Sequence, residues 1–199
     1  MVREGSRTAI LAAARQQFGE RGYARTSLVD VSRAAHVTKG AVYHHFGSKE
    51  GLFRCVYDEV ETESQVLVRT AVDFDQHPLE IIQAIVAAYL DVAMDPIVQR
   101  VTLVDAPAVL GPEPDGPLEQ QQSYIDFRSF LEIAILGNHI KPVDPGAITR
   151  VIRGASTQAA LYIAQADDQT EARVRIGEVL QVLIGGLATD QTPTTNEAV

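Results

Sequence analysis

Three hydroxyl residues, Ser27, Thr38 and Ser48, stand eleven and ten residues apart, each just ahead of a run with helical apolar spacing. A Ser or Thr in that place accepts the backbone N–H two or three residues further on and so starts a helix. Ser27 with Asp30 has the spacing of a capping box, and the apolar side behind it is Leu28, Val31 and Ala35. Thr38 caps the next helix, where Val37 before the cap and Val42 inside form a hydrophobic staple that sets the angle of approach. Caps this close leave room only for two short helices joined by a tight turn, the helix-turn-helix pattern.

The same period runs through the rest of the chain. Ile10, Leu11, Ala14 and Phe18 form one side of a first helix near 6–21, which Gly22 stops. Ser48 opens a long helix reaching about Phe74, and "DQHP" (75–78) ends it. Pro78 and Pro96 suit first turns, giving helices near 78–94 and 96–104. "DAPAVLGPEPDGPLE" (105–119) carries four prolines and two glycines and reads as an irregular connection. Helices near 118–137, 145–165 and 170–188 follow, and no stretch alternates with strand period. The fold class is therefore all-α, with about nine helices. "TDQTPTTNEAV" (189–199) has no apolar period and reads as a disordered tail.

Net charge is −9, which at first argues against a nucleic-acid partner, but its distribution reverses that conclusion. Residues 1–50 hold eight Lys and Arg against four Asp and Glu, while the remainder holds nine against 22. A basic head sits on an acidic body, so the head can touch phosphates that repel the body. The single Cys55 rules out an internal disulfide and a cysteine-rich zinc site, which suits a reducing cytoplasm. No basic-then-apolar leader opens the chain, and apolar runs such as "AIVAAYL" (84–90) fall short of the roughly 20 residues a membrane span needs. The expected location is the cytoplasm, with no membrane contact. No metal and no cofactor are expected, because no Cys or His has ligand spacing.

The helix opened by Thr38 can be laid out at about 100° per residue. With Val42 at zero, Phe46 falls near 40°, so these two point to the core. His44 falls near 200°, opposite the core, between Gly40 and Ala41, whose lack of bulk permits close approach. Tyr43 and His45 flank that face, and Lys39 reaches sideways. Lys49 stands in the first turn of the following helix, whose free N–H groups also favour an anion. Such a helix presents His44, Ala41 and Gly40 to the floor of a major groove and Lys39, Tyr43, His45 and Lys49 to its phosphate walls.

"TSLVDVSRAAHVTKGAVYHHFGSKEGLF" (26–53) resembles the DNA-binding signature of TetR-family transcriptional regulators, most densely in G-x-x-Y-x-H-F-x-x-K-E-x-L from Gly40 to Leu52. "LVDAPAVLG" (103–111) is similar to a stretch in the C-terminal half of a subset of that family. The resemblance implies a homodimer on a double-stranded operator with two half-sites. It divides the chain into a helix-turn-helix domain, 1–48, and a helical effector-binding and dimerisation domain, 49–188, with helix 49–74 linking them. Its DNA-contacting residues are then Ser27, Thr38, Lys39, Gly40, Ala41, Tyr43, His44, His45 and Lys49. Two positions depart from the pattern. His36 stands where the turn usually has glycine, and Val29 stands where a polar or basic residue often meets DNA.

The last two helices carry wide apolar faces with Gly154, Ala155, Gly177, Gly185 and Gly186, and are expected to form a four-helix interface with a second copy. Effector candidates in the body are Tyr89, Asp105, Tyr124, Phe127, Arg128, Gln158 and Tyr162, whose aromatic character and few cations favour an apolar or cationic small molecule. Asp105, an acid at a helix end, opposes the helix dipole and calls for a partner, an arginine or a ligand. Three functions stay open on the sequence. One is a repressor released by a small molecule; another is a DNA-binding regulator without an effector, or an activator. The third, an enzyme with an accessory basic helix pair, has no Gly-rich phosphate loop or nucleophile elbow to support it.

Overall fold

Gly22 is where the first helix breaks: its backbone takes φ 78° and ψ 165°, a region open essentially to glycine, and the chain then resumes a last helical turn. The computed structural model describes residues 2–189. Among them nine helices follow one another: α1 (Val2–Arg25), α2 (Leu28–Ala34), α3 (Lys39–Phe46), α4 (Lys49–Thr70), α5 (Pro78–Val92), α6 (Pro96–Leu110), α7 (Gln122–Leu136), α8 (Pro145–Gln165) and α9 (Gln169–Gly185). No strand occurs among the described residues; a lone antiparallel bridge joins Ile140 to Ala188. The tail expected at 189–199 lies, apart from Thr189, outside the described residues.

Local chemistry explains where the helix limits differ from those expected. α4 stops at Thr70 rather than near Phe74, because the Asp73 carboxylate takes the N–H of Asp75 and offers the chain a turn instead of another helical bond. The connection expected at 105–119 starts later, since Ala106–Leu110 is helical. Pro107 has no N–H to give the carbonyl a turn earlier, and its ring would strike that carbonyl in a regular helix. The chain answers with a wider π-helical stretch over Gln99–Asp105, in which the N–H of Ala106 reaches back five residues to Val101. Asp105 therefore lies inside a continuous helix and not at its end.

Two cores organise the packing. The first joins Phe18 of α1, Val31 of α2, Val42 of α3 and Phe53 of α4, and takes in Val101 and Ala106 of α6. The second collects Ile82 and Leu90 of α5, Leu131 of α7, Ile163 of α8 and Ile184 of α9. A smaller cluster of Val72, Ile81 and Ala88 closes the far end of α4 against α5. Thus α4 and α6 both belong to the head's core while running into the body.

At Gly22 a β-carbon would lie 2.6 Å from the Arg100 guanidinium, besides occupying a forbidden backbone region. Gly22→Ala is expected to cost about 1–3 kcal/mol, the range for a side chain forced into such a conformation. Urea unfolding of the two proteins side by side, giving equal midpoints, would refute this.

Candidate nucleic-acid interface

The helix pair forms as its caps dictate. Ser27 accepts the N–H of Asp30 at 3.1 Å and donates its hydroxyl to the same residue's carboxylate at 2.6 Å. That bond, with Arg33 and Arg21 nearby, holds the Asp30 carboxyl below its ordinary value. Thr38 accepts from Ala41 at 3.2 Å and Ser48 from Gly51 at 2.9 Å. Between the helices His36 adopts φ 54°, the left-handed conformation that glycine would take more easily.

On α3, Val42 and Phe46 are buried, while Lys39, Gly40 and His44 are exposed and Ala41 and His45 are half-buried. Tyr43 is 46% exposed, with the Lys39 amine 5.5 Å from its ring centre. The outward face is thus small at Gly40 and Ala41, polar at His44, and cationic at its margin. Val29, 44% exposed at the start of α2, adds an apolar spot beside it. Lys49 is half-buried, its amine 4.1 Å from the centre of the Tyr23 ring. Burial lowers its proton affinity, and the Asp105 charge opposes that. Among the described residues no carboxylate forms an ion pair with Lys39 or Lys49, which leaves both cations available to phosphates.

The seven effector candidates do not converge. Tyr124 is buried and Phe127 is packed against the body core. Arg128 pairs with Glu132 on the surface at 3.0 Å, and Gln158 and Tyr162 point outward from α8. Asp105 sits at the joint between head and body, where it accepts the N–H of Tyr23 at 2.6 Å and lies 3.7 Å from Arg100. Its partner is therefore the protein itself. Tyr89 alone belongs to a polar group inside the body.

That group includes residues the sequence reading left out. The Tyr57 hydroxyl donates to Asp115 at 2.7 Å, and Arg54 pairs with Asp115 at 3.2 Å, pinning the Pro-rich connection to α4. One turn beyond Tyr57, the half-buried Glu61 accepts a hydrogen bond from Gln65 at 3.1 Å, and burial raises its carboxyl above the ordinary range. Burial likewise raises Tyr89, which is hydrogen-bonded to Thr157, and both feel the charge of Arg153. The signal available in the sequence was an acid at a stripe position where Tyr57 and Val60 call for another apolar residue. Grooves open elsewhere: one of about 460 Å³ between α5 and α9, lined by Leu90, Arg173 and Gly177, and one of about 490 Å³ between α1 and α4, lined by Arg7, Cys55 and Glu63.

A small, capped helix pair on a shared core, with an outward face of this kind, defines a helix-turn-helix DNA-binding protein. Comparison gives the class a family. Residues 10–56 match the profile of bacterial regulatory proteins of the tetR family, and 79–187 match that of the tetracyclin repressor-like C-terminal domain. A TetR-family transcriptional regulator from Pectobacterium atrosepticum superimposes with TM-score 0.80 at 33% identity, covering 94% of this chain and 96% of its own. The chain belongs to the TetR family. It is 39% identical over 85 residues to the repressor BepR of Brucella suis, a match spanning 42% of this chain and only 41% of that protein. It is 27% identical over 178 residues to the repressor AcnR of Corynebacterium glutamicum, spanning 85% and 93% of the two.

Proposed function

We propose that the chain is a transcriptional repressor that binds a palindromic operator as a homodimer and is released by a small molecule held in its body. The observation that carries this reading is the outward face of α3: a helix buried on Val42 and Phe46 leaves Gly40, Ala41 and His44 free for base edges. Lys39, Tyr43, His45 and Lys49, with the caps Ser27 and Thr38, meet the phosphates on either side. The names of BepR and AcnR as repressors support the sign of regulation. The division of labour follows the sequence: 1–48 for DNA, 49–188 for effector and dimer, α4 linking them, the whole acting in the cytoplasm without catalysis.

The dimer surface is supported by exposed apolar side chains on the outer faces of the last two helices. Val182 and Leu183 of α9 are 75% and 63% exposed, and Val151 and Tyr162 of α8 join them. Gly154, with open space where a β-carbon would stand, allows a second copy to come close. The effector is an apolar or cationic small molecule held in the body, a reading supported by the body's aromatic side chains and its few cations. Displacing α4 alters the separation of the two heads, which must stay roughly 34–36 Å apart to enter successive major grooves.

Leu183→Glu should give monomers in sedimentation and lose operator binding, because a charge at the centre of an apolar interface has no partner. Sedimentation of the unmodified protein as a monomer at micromolar concentration refutes the dimer. On a duplex selected from a random pool, His44→Ala should relax sequence preference. Lys49→Ala should instead weaken binding to all sequences alike and lower the salt slope by about one unit for each protomer. An unchanged slope and affinity in Lys49→Ala removes that residue from the phosphate contacts.

A further inference from the structure

Lys49 does not stand free in solvent waiting for a phosphate. Its amine lies over the face of Tyr23, a residue of α1, three helices earlier in the chain and outside the recognition signature. That ring is itself immobilised: it stacks with Phe18 at 5.9 Å and meets Phe53 edge-on at 5.1 Å, and Phe53 lies one turn beyond Lys49 in the same helix. The backbone of Tyr23 is fixed as well. Its N–H, next to the break at Gly22, is held by the Asp105 carboxylate, which Arg100 orients from the same helix.

We propose that Tyr23 is a positioning residue for the phosphate-binding amine of Lys49, and that Asp105 of α6 holds Tyr23 in place from the body. The inference rests on the reading of Lys49 as a phosphate contact. A lysine has a long, flexible stem and a compact charge, so a free one spends most of its conformations away from any given phosphate. The negative face of an aromatic ring attracts the ammonium and selects the conformers that lie over it. The donors on the side away from the ring remain available to an oxygen of DNA. Because Asp105 belongs to α6, a shift of that helix would move Tyr23 and take Lys49 off its target while leaving α3 intact.

The test uses the full chain, a duplex selected from a random pool by the wild-type protein, and binding measured across a range of salt. Tyr23→Phe keeps the ring and should retain wild-type affinity and slope. Tyr23→Leu should fall to the level of Lys49→Ala, and the double variant Tyr23→Leu/Lys49→Ala should be no weaker than either single one, since both remove the same contact. The idea is overturned if Tyr23→Leu binds like the wild type while Lys49→Ala does not, or if the two losses add. If Lys49→Ala itself keeps the wild-type slope, the phosphate reading of Lys49 fails and this inference with it. A second measurement does not depend on the variants folding. In the free wild-type protein the ε-methylene of Lys49 should show an upfield ring-current shift in carbon–proton NMR spectra, and a resonance at the random-coil position overturns the proposal.

Discussion

The N–H of Tyr23 sits where the first helix breaks, and Asp105 supplies the acceptor that the break takes away. A partly buried donor without an acceptor costs about 1–3 kcal/mol, so the joint specifies a partner and not merely a contact surface. Several features converge on it. Gly22 provides the backbone turn that aims the N–H at α6, and its missing side chain leaves room for Arg100. The π-helical stretch ends at Asp105, one residue before Ala106 enters the head's core beside Val101. The break in α1 is therefore held by a residue of α6, a helix that packs on the head's core from Ile97 to Leu110.

Electrostatics divide along the same line. A protein of net charge −9 approaches a polyanion only if its acids are out of reach, and here the surplus of acid lies beyond residue 50. At physiological salt, charges separated by more than about 8 Å in water are largely screened. Lys39 and Lys49 form no ion pair among the described residues, whereas several of the body's carboxylates are neutralised locally, as in Arg54–Asp58 and Arg173–Asp91. The acidic body thus weakens non-specific attraction more than it weakens a docked complex.

How much of this was legible depended on whether the information was local. Ser27, Thr38 and Ser48 announce the helix pair because a cap is decided within three residues, and the orientation of Val42, His44 and Phe46 follows from helix geometry alone. The nine helices and the departure at His36 were readable for the same reason. An acid placed like Asp105 calls for a partner, but whether that partner is an arginine, a ligand or a backbone N–H of another helix is a tertiary matter. The effector candidates were drawn from aromatic and polar residues without knowledge of which sides face each other, so Tyr124 fell in the core and Gln158 and Tyr162 on the surface. Glu61 is not legible in this way, because an acid in a long helix reads as solvated until its neighbours are known.

Two helices tie head to body, and both are packed into the head's core. α4 is packed along much of its length, through Phe53, Val56 and Val60 in the head and through Val72 just past its end. α6 packs on the head from end to end, through Ile97, Val98, Val101, Ala106, Val109 and Leu110, and adds one charge-assisted hydrogen bond. Allosteric coupling between two ligands typically amounts to about 1–3 kcal/mol. A hydrogen bond to a charged group is worth about 1.5–3 kcal/mol. The contact between Asp105 and Tyr23 is of the same order, within an apolar interface that α6 shares with α1 and α4.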